Sequence, residues 1–244
     1  MAMAALRARS SSRPEIEIHP AAFETLRHAL EGGLEAEPSV TEWLTQAKAI
    51  ETRTFPLPES LIATLRTYQW EGFQWLCRLS ELGLGACLAD DMGLGKTLQL
   101  IALLLHRRDE GPALVVAPTS VCGNWVRELA RFAPSLQVFE WTAASKDSAK
   151  KEPGAVVICS YAMLQQDETQ LTSIEWATAV LDEAQFIKNP DSLRARAAFK
   201  LRAAQRIALT GTPVENHYGD IWSIFQFILP GMLGDFATFR RRFI

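Results

Sequence analysis

The sequence predicts an α/β fold in which helices sandwich a parallel sheet. The first observation is alternation: from about residue 61 onward, short apolar runs alternate with helical segments. The second is composition, because these runs are valine, isoleucine, leucine and alanine on both faces, which is typical of strands buried on two sides. The third is that no internal repeat is visible. A doubly wound sheet satisfies all three.

Composition narrows the class of protein. Of the 244 residues, 48% are hydrophobic and 22% are charged, which excludes a disordered or fibrous chain. The apolar run Leu98–Leu105 is shorter than the roughly 20 residues that cross a bilayer, so we expect no membrane segment. Four dispersed histidines and the absence of C-x-x-C spacing favour structural thiols over a zinc site. The cysteines are Cys77, Cys87, Cys122 and Cys159.

The charge is uneven along the chain. The formal net charge of −3 argues against a general polyanion binder. Residues 191–244, however, carry eight basic and four acidic side chains, so any nucleic-acid surface has to be local. The basic stretch within them is either a solvated helix face or a patch beside DNA. It contains Arg194, Arg196, Lys200 and Arg202.

Residues 1–60 predict a floppy tail and a small, mainly helical segment. The tail is Ser-rich and basic without a long apolar core, which argues against a signal peptide and leaves a transit peptide as an alternative. Prolines in Phe55–Pro58 favour an extended linker, so we place a boundary near residue 60. Two apolar stripes at near-helical spacing predict short helices: Phe23, Leu26, Leu30 and Leu34, then Val40, Trp43 and Leu44.

The remaining chain predicts strands and helices in alternation. The predicted strands cover Gly85–Ala89, Ala113–Ala117, Leu136–Trp141, Ala155–Ser160, Ala177–Leu181 and Arg206–Thr210. The predicted helices cover Thr67–Glu81, Lys96–His106, Val121–Phe132 and Ser192–Leu201. Open α/β sheets bind ligands outside the carboxyl ends of their strands, so the polar segments that follow these strands are candidate site residues.

The Gly-rich turn Asp90–Thr97 lies between a strand and a helix, where a phosphate-binding loop is expected. Its two glycines let backbone N–H groups approach phosphate oxygens, and the following helix directs its positive end to the same anion. Lys96 would reach the β and γ phosphates, and Thr97 would hold Mg²⁺. The G-x-x-x-x-G-K-[ST] pattern has glycine where this chain has Asp90, so an ordinary turn stays the alternative.

Two further polar segments end strands. Asp182 suits Mg²⁺ coordination, and Glu183 suits the positioning or deprotonation of an attacking water. A solvated acidic turn is the alternative, but the phosphate loop about 85 residues earlier favours a joint metal–phosphate site. The hydroxyls of Thr210 and Thr212 are suited to sense a γ phosphate or to touch a phosphodiester backbone, unless this segment is an ordinary turn.

Together these segments resemble the first lobe of the Swi/Snf-type ATPases, helicase-like proteins of superfamily 2. Six motifs follow in the family's order from about residue 61 to the end, and the resemblance implies a RecA-like fold. The family carries an acid in its phosphate loop, which accounts for Asp90. The matching segments are Leu65–Gln69 with Gly72, Asp90–Thr97, Ala117–Ser120 with Asn124, Trp125 and Glu128, Ser160–Tyr161, Asp182–Gln185 with Lys188 and Asn189, and Leu209–Pro213 with Asn216.

For the nucleotide, the resemblance implies ATP as the substrate and Mg²⁺ as the cofactor. It implies that Lys96, Asp182 and Glu183 are catalytic and that Thr97 and Asp182 hold the metal. Gln185 stands where the family commonly has histidine, and glutamine can still donate and accept hydrogen bonds. The residues implied around ATP are Arg66, Tyr68, Gln69, Asp91, Met92, Gly93, Leu94, Gly95, Lys96, Thr97, Leu98 and Gln185.

For nucleic acid, the resemblance implies double-stranded DNA, held mostly through phosphates, which position a protein but read no bases. Backbone amides, hydroxyls and helix N-termini allow an acidic chain to make such contacts. Thr210, Thr212 and Asn216 are implied to couple the motifs. The implied DNA contacts are Pro118, Thr119, Ser120, Asn124, Ser160, Tyr161, Lys188, Gly211 and Thr212.

The resemblance divides the chain into a tail with an accessory segment (1–60), a RecA-like ATP-binding lobe (61–230) and the start of a connection to a second lobe (231–244). The family's motor has two lobes with ATP between them, and only 31 residues follow Pro213. We therefore expect a fragment that is nearly inactive alone, because an arginine finger from the second lobe contributes about 10³ to 10⁵ in rate.

Two other hypotheses stay open: a superfamily 2 RNA helicase lobe and a non-catalytic nucleic-acid-binding or regulatory module. The residue sequence of the Asp90–Thr97 loop and the pair Asn124–Trp125 count against an RNA helicase lobe. An intact set of catalytic residues counts against a non-catalytic module. The protein cargo on DNA is unknown. The expected location is the nucleoid-associated cytoplasm for a bacterial protein and the nucleus for a eukaryotic one.

Overall fold

A six-stranded parallel sheet forms the centre of the molecule. The computed structural model describes residues 6–10, 13–18, 35–36, 38–91, 93–142, 152–211 and 218–243. Its strands are β1 Leu6–Ser10, β2 Arg13–Ile18, β3 Glu35–Ala36, β4 Ala86–Leu88, β5 Ala113–Ala117, β6 Gln137–Glu140, β7 Ala155–Ser160, β8 Glu175–Leu181 and β9 Arg202–Leu209. Its helices are α1 Pro38–Glu51, α2 Thr67–Glu81, α3 Lys96–His106, α4 Thr119–Phe132, α5 Tyr161–Gln166, α6 Glu168–Thr172, α7 Leu193–Phe199, α8 Tyr218–Ile228 and α9 Phe236–Phe243, with 3₁₀ turns at Arg108–Glu110 and Ala184–Ile187.

The strands of the central sheet follow the order β4-β9-β8-β5-β7-β6, and every pair of neighbours is parallel. The predicted α/β class is therefore confirmed. The observed bounds of α2, α3, β5 and β7 coincide with the predicted ones. Because all six strands run the same way, the segments that follow β4, β5, β7, β8 and β9 emerge at one edge of the sheet, where the predicted motifs meet.

Each face of the sheet has its own buried core. Along β5, Leu114 and Val116 pack into one core, whereas Val115 and Ala117 pack into the other. Helices α2, α3 and α4 cover the second of these faces, and α5, α7 and α8 cover the first. Burial on both faces explains why the strands read as unbroken apolar runs rather than as alternating ones.

The N-terminal segment is less helical than predicted. Helix α1 confirms the helix expected around Trp43, but residues 6–10 and 13–18 form strands rather than a floppy tail or a helix. Strands β1 and β2 pair antiparallel, and β3 joins β1 in a separate three-stranded sheet. The sequence carries a signal for this, because glutamate and isoleucine alternate over Glu15–Ile18 with the period of a strand. The helix expected over residues 23–34 lies outside the described residues.

The sequence-based prediction lacks several of the observed elements: the helices α5, α6, α8 and α9 and the 3₁₀ turn Ala184–Ile187. Short length hides some of them: α5 has six residues and α6 has five, too few for an apolar period to show. Helix α5 begins where Ser160 Oγ accepts a hydrogen bond from the Met163 N–H at 3.2 Å. This N-cap begins the helix directly after β7, without a connecting loop.

The extended segment before α2 is attached to that helix. Phe55 is buried, and its backbone N–H and carbonyl both bond to the side-chain amide of Gln74, at 2.8 and 2.7 Å. A little further on, the Ile62 N–H donates to the Phe132 carbonyl at the end of α4. The segment around Phe55 thus packs with the lobe that follows it.

All four cysteines are free thiols. Burial raises the pKa of Cys77 to about 12 and that of Cys87 to about 11. Thiols with such pKa values are protonated near neutral pH, and it is the thiolate that reacts or binds a metal. Among the helices of the described ranges, none is long and apolar enough to cross a membrane.

Candidate nucleotide and nucleic-acid site

The loop between β4 and α3 has the backbone geometry of a phosphate-binding loop. Gly93 and Gly95 have φ angles of +85° and +76°, in the left-handed region that favours glycine. Lys96, the first residue of α3, reaches back over the loop, and its Nζ donates to the carbonyls of Asp90 (2.6 Å) and Asp91 (3.1 Å). The ammonium is thus held against the loop itself. A bound phosphate would offer it charged oxygens, which make stronger hydrogen bonds than carbonyls do.

Gln69 connects α2 to this loop. Its Oε1 accepts from the Arg66 N–H at 3.0 Å, and its Nε2 donates to the Leu94 carbonyl at 3.1 Å. Only glycine leaves room for this contact, because a Cβ at Gly95 would lie 2.3 Å from Gln69 Nε2. Gln69, one of the residues implied around ATP, is therefore fixed against the predicted phosphate loop.

A cleft of about 490 Å³ opens beside the loop. Tyr68 and Gly72 of α2 line it together with Asp90 and Gln99. Met92 lies outside the described residues. Apart from Gln185, which follows β8, the other predicted ATP residues lie on the loop and on the helix starts that flank it. Arg66, Asp91 and Leu94 are exposed, and Thr97 and Leu98 are half-buried.

Asp182 directly follows β8, and its carboxylate and carbonyl oxygens accept three hydrogen bonds. Its Oδ2 accepts from Trp125 Nε1 at 2.8 Å, and its Oδ1 accepts from the Glu183 N–H at 2.9 Å. The Tyr161 hydroxyl donates to the Asp182 carbonyl at 2.8 Å. Burial raises the pKa of the carboxyl above its ordinary value, while the Trp125 bond and the Lys96 ammonium lower it.

Glu183, Gln185 and Thr210 form a hydrogen-bonded chain. Gln185 Nε2 donates to Glu183 Oε2 at 2.8 Å, and Thr210 Oγ1 donates to Gln185 Oε1 at 3.0 Å. Glu183 has a φ of +50°, a left-handed conformation that costs a non-glycine residue about 1–3 kcal/mol. Such strain persists where the surrounding structure fixes it, and it concentrates at functional sites. The carboxamide that replaces histidine thus bridges the candidate water-positioning residue and the end of β9.

The side chains fit a magnesium–triphosphate group. Each carboxylate oxygen of Asp182 has two lone pairs, of which its described hydrogen bond uses one. With the Thr97 hydroxyl, it offers the oxygen ligands that Mg²⁺ prefers. Proteins usually hold this ion through one or two carboxylates plus substrate phosphates, and the described residues contain no cluster of three or more metal-ligating side chains. Thr97 and Asp182 would hold the ion, which would supply positive charge beside the phosphates.

The predicted DNA contacts after β5 lie at the start of α4. Thr119 and Ser120 are exposed in its first turn, and no side-chain hydrogen bond caps the helix at Pro118. Asn124 is half-buried, and its Nδ2 donates to Glu128 Oε1 at 3.2 Å. Free N–H groups at the start of a 14-residue helix are suited to a phosphate.

The predicted DNA-contacting residues Ser160 and Tyr161 have hydroxyls that bond within the protein. Both residues are buried, Tyr161 to 3% exposure, because the Ser160 hydroxyl caps α5 and the Tyr161 hydroxyl bonds to the Asp182 carbonyl. Hydroxyls with these internal partners are not presented to a DNA phosphate. Lys188 is exposed and Gly211 is half-buried at the same edge of the sheet. Thr212 and Asn216 lie outside the described residues.

Two residues that sequence reasoning gave no role contact the site. Trp125 bonds to Asp182 across 57 residues of sequence, and Gln99 Nε2 donates to Asp90 Oδ2 at 3.1 Å. Because Trp125 directly follows Asn124 in a matched motif, the sequence indicates that this tryptophan has a role at the site. Its partner cannot be inferred without the fold, because nothing in either motif specifies the other.

Comparison with known families identifies the chain. The model of the SNF2-related domain matches residues 68–244. The chain belongs to this family. The predicted resemblance to Swi/Snf-type ATPases is thereby confirmed.

Three relatives indicate the range of SNF2-related proteins. The putative ATP-dependent helicase/translocase YwqA of Bacillus subtilis is 46% identical over 77% of this chain and 22% of its own length. The TATA-binding protein-associated factor mot1 of Schizosaccharomyces pombe is 34% identical over 88% of this chain and 13% of its own. The chromatin-remodeling ATPase INO80 of Arabidopsis thaliana is 36% identical, with 79% and 14% covered. The chain spans less than a quarter of the length of each.

Two solved structures of the SNF2-related family share the fold. The Sulfolobus solfataricus SWI2/SNF2 ATPase core in complex with double-stranded DNA matches with a TM-score of 0.72 and 44% identity, over 78% of this chain and 41% of that one. The core domain from the same organism matches with a TM-score of 0.70 and 43% identity, over 79% and 41%. The predicted RecA-like fold is confirmed by these neighbours.

Proposed function

We propose that this chain is the ATP-binding first motor lobe of a DNA-dependent ATPase that translocates along double-stranded DNA and remodels protein–DNA complexes. The observation that carries the proposal is the hydrogen-bonded chain from Glu183 through Gln185 to Thr210, at the same sheet edge as the phosphate loop. A solvated acidic turn has no need of a glutamine that orients one carboxylate. An ATPase needs an oriented carboxylate, because its attacking water must be held in line with the γ phosphate.

The proposed roles follow from the chemistry of each group. The Lys96 ammonium exchanges its two carbonyl partners for β and γ phosphate oxygens, and Thr97 and Asp182 hold Mg²⁺ beside them. Glu183 positions the attacking water, with Gln185 fixing the orientation of its carboxylate. Gln69, together with Arg66 and Tyr68 at the start of α2, contacts the base. Phosphoryl transfer needs little covalent help from the protein, so positioning and charge carry the catalysis.

DNA is the proposed partner because a solved relative with 44% identity was determined in complex with double-stranded DNA. In this chain the candidate contacts are neutral: the free N–H groups and hydroxyls at the start of α4 and the backbone near Gly211, with Lys188 as the added cation. Neutral donors bind phosphate without making the chain basic, which reconciles DNA binding with a net charge of −3.

The chain covers 41% of the solved cores that it resembles, so we propose that a second RecA-like lobe completes the motor. That lobe would supply the arginine finger, worth about 10³ to 10⁵ in rate. The protein cargo on DNA is left open. A nucleoid-associated location is proposed for a bacterial host and a nuclear one for a eukaryotic host. Within residues 1–60 we propose an accessory segment, and we propose that residues 231–244 are the start of the connection.

The test is steady-state ATP hydrolysis by the two-lobe protein, with duplex DNA, with RNA and with neither. Lys96→Ala removes the phosphate-binding cation, and Lys48→Ala, at an exposed position of α1, is the matched control. Strong stimulation by duplex DNA that Lys96→Ala abolishes and Lys48→Ala retains is the expected result. Stimulation by RNA alone would favour an RNA helicase lobe. Intact nucleotide binding without hydrolysis under any condition would favour a regulatory module.

A further inference from the structure

The Trp125 indole is buried against the candidate metal-binding carboxylate. The side chain is 0% exposed, and its Nε1 donates to Asp182 Oδ2 at 2.8 Å. The other carboxylate oxygen accepts from the Glu183 N–H. One bond comes from the backbone beside Asp182 itself, and the other comes from a different element. The orientation of the carboxylate therefore depends on where α4 places its tryptophan.

Helix α4 also carries the candidate DNA contacts. Thr119 and Ser120 are exposed at its start, and Asn124 directly precedes Trp125. Trp125 lies six positions after Thr119, which is about 9 Å along a helix axis. A helix transmits a displacement over that length as a nearly rigid rod, because each residue is fixed by backbone hydrogen bonds. A shift of the helix start on a DNA strand would move the indole relative to Asp182.

We propose that Trp125 is a positioning residue that couples DNA contact at the start of α4 to the orientation of the Asp182 carboxylate. The inference rests on the proposed function, since it assumes that Asp182 holds the metal of a DNA-stimulated ATPase. DNA binding and Mg²⁺–nucleotide binding are then linked through one indole N–H. By reciprocity, DNA raises the affinity for Mg²⁺–nucleotide by the same factor by which the nucleotide raises the affinity for DNA.

The Tyr161 hydroxyl holds the same residue from the other predicted DNA segment. It bonds to the Asp182 carbonyl, whereas Trp125 bonds to the carboxylate. The backbone is thus fixed by α5 and the side chain by α4. Of these two bonds, only the one from α4 acts on a carboxylate oxygen that would touch the metal, so Trp125 is the residue that the coupling needs.

The chain offers a matched control for the test. Trp141 is also buried, and its Nε1 donates to another carboxylate, Asp167 Oδ2, at 2.9 Å. Trp125→Phe and Trp141→Phe remove the same kind of bond with the same loss of ring volume. Replacement of Trp125 by 3-benzothienylalanine, which carries sulfur in place of the ring N–H, removes the hydrogen bond at nearly constant shape if the phenylalanine variant does not fold.

The experiment uses the two-lobe protein and two readouts. The first is the affinity for a fluorescent ADP analogue with and without Mg²⁺, measured with and without duplex DNA. The second is the DNA stimulation of kcat at saturating ATP. We expect the Trp125 variants to lose about tenfold of the DNA effect on Mg²⁺-dependent affinity, a factor typical of a lost hydrogen bond to a charged group. Nucleotide affinity without Mg²⁺ should stay unchanged, as should both readouts in Trp141→Phe.

The outcomes separate the inference from the proposed function. If the unmodified protein is not stimulated by DNA, the proposed function fails, and the inference fails with it. If it is stimulated and the Trp125 variants retain the full DNA effect, the coupling role of Trp125 is wrong while the function stands. An equal loss in Trp125→Phe and Trp141→Phe would mean that any buried tryptophan matters, which would also overturn the role.

Discussion

At the scale of single residues, Gln185 joins two parts of the site that lie 27 residues apart in sequence. Its amide donates to the Glu183 carboxylate and accepts from the Thr210 hydroxyl. A carboxamide suits this position because one end can only donate and the other can only accept. A neutral histidine offers the same pair of functions on its two ring nitrogens, which explains how glutamine can replace it.

Removal of this bridge should slow hydrolysis more than it weakens binding. We expect Gln185→Ala to lower the DNA-stimulated kcat about 10- to 100-fold, because a hydrogen bond to a charged group contributes about 1.5–3 kcal/mol. The KM for ATP should change by less than about threefold, since the phosphate loop is untouched. Steady-state kinetics in the two-lobe protein measure both.

Gln185→His is the control for this prediction. It keeps one donor and one acceptor, so kcat should stay within roughly fivefold of the unmodified protein. If Gln185→His is as slow as Gln185→Ala, the bridge does not act through these two hydrogen bonds. If Gln185→Ala raises KM and leaves kcat intact, the residue contributes to binding rather than to positioning.

Some contacts at the site can be predicted from the sequence, whereas others depend on the fold. Lys96 bonds to carbonyls five and six residues away, so the Gly-rich motif already contains both partners. Trp125 and Asp182 are 57 residues apart and meet only because β8 and β5 are neighbours in the sheet. Tyr161 shows the same limit, since its motif predicts a DNA contact but its burial follows from the packing of α5.

At the scale of elements, the surroundings of two helical glycines predict opposite changes in stability when each is replaced by alanine. A Cβ at Gly72 of α2 would lie 1.9 Å from Gln99 Oε1, whose side chain is fully buried and bonded to Asp90. Gly72→Ala should therefore cost about 1–3 kcal/mol as the crowded helices shift. At Gly123 of α4 the nearest atom to a new Cβ is 3.9 Å away, so Gly123→Ala should stabilise by about 0.5–1 kcal/mol.

Urea unfolding of the two variants beside the unmodified chain measures these changes. The opposite signs make the test internally controlled, because both substitutions add the same methyl group to a helix. A stabilised Gly72→Ala variant would mean that Gln99 moves without loss. A destabilised Gly123→Ala variant would mean that α4 tolerates no change near the start of the helix, contrary to the open space there.

Helix α3 ends at His106, whose ring meets Phe55 and Phe73 edge-on at centroid distances of 5.7 and 6.0 Å. Burial lowers the pKa of His106 below its ordinary 6.5. The folded state therefore holds fewer protons than the unfolded state at mildly acidic pH. The stability that the neutral ring contributes is present above pH 6.5 and is lost as pH falls through 6.5 towards the lowered pKa.

His106→Phe should flatten this pH dependence. The ring contact with both phenylalanines stays, but the group that takes up a proton is gone. We expect the free energy of unfolding to fall less between pH 7 and pH 5.5 in the variant than in the unmodified chain, as urea titrations would measure. Equal slopes in the two proteins would show that His106 titrates alike in both states.

The elements that sequence predicts well are those buried on both faces or strongly periodic. Strands β5 and β7 read as apolar runs because helices cover them on both sides. The short helices α5 and α6 lack a full apolar period. In β2 the alternation over Glu15–Ile18 is a strand pattern, but the Ser-rich, basic composition of the residues before it favours a tail. For this segment the composition therefore predicts the wrong structure, whereas the local periodicity indicates the observed strand.

At the scale of the whole molecule, the question is where the folded lobe begins. The proline-rich linker predicts a boundary near residue 60, and the family match begins at residue 68. Yet Phe55 is only 2% exposed, and its backbone satisfies both ends of the buried Gln74 amide. These contacts support the proposal that the structural unit starts upstream of the linker, near residue 52.

Two fragments ending at residue 243 test this proposal, one beginning at residue 52 and one at residue 61. The shorter fragment loses the burial of the Phe55 side chain, worth about 1.5–3 kcal/mol. It also removes both hydrogen-bond partners of the Gln74 amide, and each lost bond costs about 0.5–1.5 kcal/mol more. We expect it to unfold at clearly lower urea concentration than the longer fragment.

Gln74→Leu separates these two losses. In the longer fragment it breaks two hydrogen bonds and leaves the Phe55 backbone groups unpaired, so it should destabilise. In the shorter fragment both partners of the amide are already absent, so the same substitution should change the stability much less. This difference depends on the contact between residue 55 and α2 and not on fragment length. If the substitution has the same effect in both fragments, and their urea midpoints agree, the boundary belongs at residue 60 and the Phe55 segment adds nothing to the lobe.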